Sequence, residues 1–271
     1  MELAGKVALV LGAIKGIGKG IGLALAARGA GVALNYYDWE ESLPDLERAF
    51  AEQPSPFFIL RTNLLETEEI KGLIDRVIDR FGRLDILINN IERGGWPIVH
   101  GPYVRPQWDL ELGTCLRAKR WLFEEALPHL KASGDGVVIN ISSIAGIVGR
   151  TGPAGPVFND GYAAANRGIS LLTETWARMG APEVRVNELM LGFVESRHGR
   201  GTRGWRLLSE AQKQALIDHT LAARTGTIDD VVKAVLFMVE GAPFMTGTVL
   251  RLDGGYVLGA DRVPPMPPGI L

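Results

Sequence analysis

Three glycines crowd one short turn, Gly12-Ala13-Ile14-Lys15-Gly16-Ile17-Gly18, directly after an apolar run. Glycine lets a backbone turn tightly and approach a ligand closely. Where such a turn opens a helix, free N–H groups and the positive end of the helix dipole suit phosphate. The pattern alone is weak, because a tight strand-to-helix turn needs no ligand. Its place in the first strand–helix turn of a chain patterned that way throughout is what points to a dinucleotide. Other reactive residue types are sparse. A single cysteine, Cys115, excludes an intrachain disulfide, and four histidines without ligand spacing make no metal site. No motif surrounds Cys115, which reads as a small buried apolar residue rather than a nucleophile.

The elements that must hold this turn alternate along the chain. Val7–Leu11, Val32–Tyr36, Phe57–Arg61, Leu84–Asn89, Val137–Ser142, Val184–Met190 and Val249–Leu252 read as strands. Gly16–Arg28, Glu40–Gln53, Glu66–Phe81, Gln107–Lys131, Tyr162–Met179, Ser209–Ala223 and Ile228–Glu240 read as helices. Alternation of this kind predicts an α/β fold: a doubly wound parallel sheet in three layers, α/β/α, with a crevice at the carboxyl ends of the strands. The 271 residues fit one domain with a sizeable core, ending in an irregular tail over 259–271 that carries Pro264, Pro265, Pro267 and Pro268. Three irregular segments, Glu92–Arg105, Ile147–Gly161 and Glu195–Trp205, follow strand ends and should rim the crevice.

Composition narrows the partners. Hydrophobic residues are 46% and charged residues 22%, as in an ordinary globular protein. With 29 basic against 31 acidic residues there is no basic excess to suggest nucleic acid. No apolar run approaches the ~20 residues of a membrane span. Met1 to Lys6 leads straight into a strand without a targeting pattern, so a cytoplasmic location is expected.

Several ordered motifs then make a resemblance specific. Gly12, Gly16 and Gly18 are followed by Asn89-Asn90 closing the fourth strand and Ile141-Ser142-Ser143 closing the fifth. Tyr162 opens a helix, Val186-Asn187 lies in the sixth strand, and Asp253-Gly254-Gly255 follows the last. From Leu3 to about Leu258 the chain resembles the short-chain dehydrogenase/reductase family, and within it the ketoacyl reductase and glucose dehydrogenase group. The resemblance implies a Rossmann-type sheet of seven parallel strands, a homodimer or homotetramer, a small-molecule substrate and NAD(P)(H). It puts the cofactor against Gly12, Lys15, Gly16, Ile17 and Gly18, then Tyr36 and Tyr37, Asn63 and Leu64, Asn90, and Gly192. It makes Ser143 the group that hydrogen-bonds a substrate carbonyl and Tyr162 the proton donor.

The departures are as specific as the matches. Four residues after Tyr162, where the family has lysine, stands Asn166. That lysine's charge stabilises tyrosinate, and asparagine cannot supply it. Asn166 could keep a hydrogen bond to the nicotinamide ribose. Cys115 occupies the position of the family's helix-borne asparagine. Lys119, one turn beyond Cys115, could reach the site, although a surface or stem-packed lysine is the plainer reading. Asn-Asn-Ala-Gly is replaced by Asn89-Asn90-Ile91-Glu92, whose bulk and charge should crowd the cofactor, and Pro-Gly by Leu191-Gly192. The acidic residue expected at the adenine is Asn63. An insertion rich in glycine and proline, residues 149–161, lengthens the step from Ser143 to Tyr162 and should loop outward.

Tyr36 stands where an acidic residue would select NAD, and Lys15 where NADP-preferring members carry a base, so NADP(H) is favoured over NAD(H). Ser143 and Tyr162 favour carbonyl reduction, in which a neutral tyrosine can donate its proton without a lowered pKa. The alternative is a catalytically silent or non-redox relative, favoured by Asn166 and Cys115. Trp121, Leu122 and Trp176 are candidates for apolar contacts between copies. Trp96, His100, Tyr103, Phe193 and Trp205 are candidates for the substrate lining. Arg197, Arg200, Arg203 and Arg206 form either an anion-attracting lid or a solvated face.

Overall fold

The computed structural model describes residues 1–92, 105–196, 205, 208–261 and 263–269. Trp96, His100, Tyr103, Arg197, Arg200, Arg203 and Arg206 lie outside the described residues.

Seven strands form one parallel sheet in the order β3-β2-β1-β4-β5-β6-β7. They are β1 (Val7–Val10), β2 (Gly31–Tyr36), β3 (Phe57–Arg61), β4 (Ile86–Asn89), β5 (Gly136–Ser143), β6 (Val184–Leu191) and β7 (Val249–Leu252). The strand order reverses direction between β1 and β4, which opens a crevice above their carboxyl ends. β5 and β6 stay paired from Gly136↔Val184 to Ser143↔Leu191, so Ser143 ends a rigid ladder.

Helices cover both faces because both faces of the strands are apolar. Ile21 and Leu25 of α1 (Gly16–Ala26) pack on one face with Leu46 and Phe50 of α2 (Leu43–Ala51). On the other face lie α3 (Thr67–Phe81), α5 (Ala118–Ala132) and α7 (Asp160–Gly180). A third apolar cluster, with Phe158, Tyr162, Phe193 and Tyr256, sits at the carboxyl end beneath the crevice.

Three expectations need correction. The helix expected over Gln107–Lys131 is broken: α4 (Arg105–Leu112) passes through a π turn, Gly113–Arg117, before α5 begins. A π turn inserts one residue into the helical ladder and commonly marks a functional position. The insertion 149–161 does not loop outward. It follows a short helix, α6 (Ala145–Val148), and turns Ala154, Val157 and Phe158 into the core, because these apolar side chains gain more from burial than from exposure. Leu122 and Trp176 are buried in this chain's own core, where Trp176 stacks on Phe123 at 4.7 Å, and only Trp121 of the three is exposed.

Candidate active site

The first turn is built by mutual exclusion of side chains. Gly12 has φ +61°, and a Cβ there would stand 2.5 Å from the Asn90 carbonyl oxygen. A Cβ on Gly18 would stand 2.3 Å from the Gly12 oxygen. Asn90 Nδ2 donates to the carbonyl oxygens of Leu11 and Gly12 at 3.3 Å each. Asn90 therefore clamps the turn from β4, and no larger residue fits at Gly12 or Gly18. Gly16, with φ +62°, meets nothing closer than Ser196 Cβ at 3.8 Å, so this part of the turn is open. No side chain caps α1, and its first turn holds no acidic residue, so its leading N–H groups keep their affinity for an anion. These features fit a dinucleotide pyrophosphate. Ile17 occupies the first turn of α1.

At the far end of β2, Lys15 places Nζ 3.0 Å above the centre of the Trp39 ring. Tyr36 is buried at the strand end, and exposed Tyr37 carries the Arg61 guanidinium over its ring at 5.1 Å. Asn63 Oδ1 accepts from Leu65 N at 3.2 Å, its own N–H donates to Glu69 Oε2 at 3.0 Å, and Leu64 packs into the core. Gly192 has backbone contact with the loop after β7: a Cβ would lie 2.7 Å from Asp253 Cα.

The reactive groups meet at the ends of β4 and β5. Ser143 closes β5, and its Oγ accepts from Ala145 N at 3.1 Å. Asn159 caps α7 by accepting from Tyr162 N at 2.9 Å, and its Nδ2 donates to buried Glu111 Oε1 at 2.5 Å. Tyr162 is thus fixed at the first turn of α7, buried between Phe158 and Cys115. Its hydroxyl donates to Glu92 Oε2 at 2.5 Å and is in hydrogen-bond contact with Ser143. Burial pushes the Tyr162 phenol well above its ordinary value, and the negative charge of Glu92 pushes it further.

Asn166 binds inside the protein at both ends. Its Oδ1 accepts from Ser143 N at 3.0 Å and its Nδ2 donates to the Tyr162 carbonyl at 2.9 Å. It therefore ties β5 to α7 and sets the spacing of the two hydroxyl residues. Ile91 does not intrude on the turn, because its side chain lies in the core beside the sheet. Lys119 is neither a surface nor a stem-packed lysine: it is buried, and its Nζ donates to the Ile141 carbonyl at 2.6 Å. Burial lowers its pKa, while Cys115, Glu92 and Glu188 act against that shift. Glu188, buried on β6, accepts from Ser142 and from Ser170, and burial raises its pKa. Arg167 points outward, as its five-residue offset from Tyr162 predicts.

The structure brings Ser143, Tyr162 and Asn166 together. Sequence reasoning missed Glu92 as the partner of Tyr162, Glu111 as the anchor of Asn159, and the burial of Lys119. The signal for Glu111 and Asn159 is faint: two polar residues flanking apolar runs. Among the described residues, no group of three or more His, Cys, Asp or Glu could hold a metal ion, and no helix is long and apolar enough to cross a membrane.

Known proteins agree with this architecture. The family model described as enoyl-(acyl carrier protein) reductase matches residues 12–257. A 3-oxoacyl-[acyl-carrier-protein] reductase of Staphylococcus aureus is 30% identical over 257 residues, covering 93% of this chain and 98% of that protein. Its counterpart from Thermotoga maritima is 28% identical over 262 residues, covering 95% of this chain and all of that one. The crystal structure of an NADPH-dependent 3-quinuclidinone reductase from Rhodotorula rubra superimposes with a TM-score of 0.83 at 24% identity, covering 95% and 93% of the two chains, a likeness of fold. With a seven-stranded doubly wound sheet, a clamped glycine turn and a Ser–Tyr pair at the strand ends, the chain belongs to the short-chain dehydrogenase/reductase family.

Proposed function

We propose that the protein is an NAD(P)(H)-dependent carbonyl reductase in which Ser143 and Tyr162 bind and protonate the carbonyl oxygen. The observation that carries this reading is the Tyr162 hydroxyl, held protonated beside Ser143 at the end of β5. The reduced nicotinamide supplies a hydride when bound. Gly12, Gly16, Ile17 and Gly18 would hold the pyrophosphate, with Lys15, Tyr36 and Tyr37 at the adenosine ribose. Asn63 and Leu64 would border the adenine, and Asn90 and Gly192 the inner half of the cofactor. Lys15 favours NADP(H) over NAD(H). Ser143 orients the carbonyl, Tyr162 donates to its oxygen, and Asn166 keeps the two aligned. The apolar wall of Phe158, Phe193 and Tyr256 excludes water from one side. The named activity of the relatives makes 3-oxoacyl thioesters the first substrates to try. The chain works as a homodimer or homotetramer in the cytoplasm.

A second reading, a cofactor-binding relative without redox activity, is favoured by the Glu92–Tyr162 hydrogen bond, which occupies the proton donor. Titration with NADPH and with NADH, followed by fluorescence and then by turnover of a carbonyl panel, separates the two. Reduction with NADPH, lost about 100-fold in Tyr162→Phe, is expected. Binding without turnover supports the silent reading, and no binding of either cofactor overturns both.

A further inference from the structure

The family's lysine is absent from α7, yet the site is not short of ionisable groups. Glu92 enters from the segment after β4, Ser143 from β5, Cys115 from the π turn and Lys119 from α5. Glu188 faces Lys119 from β6, with Arg167 acting on Glu188 from α7. A phenol that protonates a substrate becomes a phenolate. Here burial opposes a phenolate, and so does Glu92 whenever it is ionised. Tyr162 can serve only if a second proton follows from behind as the first leaves. Besides Ser143, the Glu92 carboxyl is hydrogen-bonded to Tyr162 Oη, at 2.5 Å. Lys119, buried with Nζ 2.6 Å from the Ile141 carbonyl, is a cation on α5, and its charge acts on Glu92.

We propose that Glu92 refills Tyr162 with a proton during reduction and drains it during oxidation, while buried Lys119 balances the Glu92 charge from α5. The proposal rests on the reductase reading and supplies the relay that Asn166 and Cys115 cannot. In reduction, a bound reduced nicotinamide would supply the hydride of the new C–H bond. The carbonyl π pair moves to oxygen and takes the Tyr162 proton. Tyr162 oxygen takes the proton of the Glu92 carboxyl, which is left as carboxylate and recovers a proton from water. The products are an alcohol and the oxidised nicotinamide. In oxidation every arrow reverses, and the Glu92 carboxylate is the final base. Reduction therefore needs Glu92 protonated and slows as pH rises through its titration, and oxidation does the opposite. Two other buried titratable groups face the site: Cys115, whose charge also acts on Tyr162 and Lys119, and Glu188, which accepts from Ser142 and Ser170.

The test compares wild type, Glu92→Gln, Glu92→Asp and Lys119→Met. Two readouts are needed: the pH profile of kcat for NADPH-driven reduction of a 3-oxoacyl thioester, and tyrosinate absorbance during a pH titration of the cofactor-free protein, with Tyr162→Phe as the blank. In Glu92→Gln we expect kcat to fall about 100-fold with KM little changed, and the alkaline fall of reduction rate to disappear. Glu92→Asp should recover part of kcat and the pH limb, which also shows that the fold tolerates change at this position. Without the Glu92 charge, Tyr162 should ionise at lower pH, and without Lys119 at higher pH. Wild-type kinetics and an unmoved Tyr162 titration in Glu92→Gln would overturn the relay and leave the reductase reading intact. A wild type that binds NADPH but reduces nothing would overturn both. Its Tyr162 titration, which needs no cofactor, would then show whether Glu92 is coupled to the phenol at all.

Discussion

Lys15 holds its ammonium against the Trp39 indole while standing at the entrance to the glycine turn. A cation–π contact of this kind contributes about 1 kcal/mol, less than a charge-assisted bond to phosphate, so a phosphate on the ribose can draw the ammonium across. Lys15→Ala should weaken NADPH binding by about tenfold or more and NADH binding little. Equal losses in paired fluorescence titrations would remove Lys15 from cofactor selection. Lys15 was legible in the sequence because the turn fixes its place. The Trp39 contact was not, because it depends on how the chain folds back after β2. The same holds for Glu92 and Tyr162, which are 70 residues apart and meet only because β4 and β5 are neighbours in the sheet. Lys119 sits in a basic stretch with Arg117 and Arg120, and nothing in that composition reveals which of the three faces inward.

At the scale of the element, β4 begins two residues later than its apolar run suggests, because Asp85 is employed as a staple. Its Oδ2 accepts from Val7 N at 2.9 Å, and Arg83 binds both carboxylate oxygens at 2.6 and 2.7 Å. Burial alone would raise the Asp85 pKa, but the Arg83 bond, the Val7 N–H and the nearby Lys6 charge together hold it below the ordinary carboxylate value. A depressed folded pKa contributes stability that is full above the unfolded value of about 3.9 and is lost as pH falls through the folded one. Asp85→Ala should cost about 3 kcal/mol at neutral pH, read as a lower urea midpoint with unchanged slope, and noticeably less at pH 3. An equal loss at both pH values would assign the effect to packing instead. Strand positions were legible because each is a nearly unbroken apolar run. The break between α4 and α5 was not, since Gly113 alone does not announce a π turn and the apolar spacing continues past it.

For the whole molecule, several large apolar side chains among the described residues stay exposed after the core is closed. Leu171 on α7 is 67% exposed, Phe237 in the π turn after Ile228–Leu236 is 53% exposed, and Phe244 is fully exposed. Burying such residues between copies would remove exposed apolar surface from water. Light scattering at micromolar concentration should give the mass of a dimer or tetramer, and a monomer mass would refute the assembly. The architecture was readable because alternating buried strands and amphipathic helices admit few arrangements. The rim was less so: residues 149–161 looked like an outward loop by their glycine and proline content, yet Val157 and Phe158 turn that segment inward.

The π turn at Gly113–Arg117 also sets a rule about chain length. A helix advances about 100° per residue, so winding the same residues as an ordinary α-helix, with no turn to absorb the extra one, would rotate everything beyond them by nearly a third of a turn. Glu111, on the near side, would keep its grip on Asn159. Lys119, Leu122 and Phe123, on the far side, would swing out of the core together. The extra residue thus acts as a phase shifter, letting one continuous rod serve the tyrosine's helix with its first half and the sheet with its second.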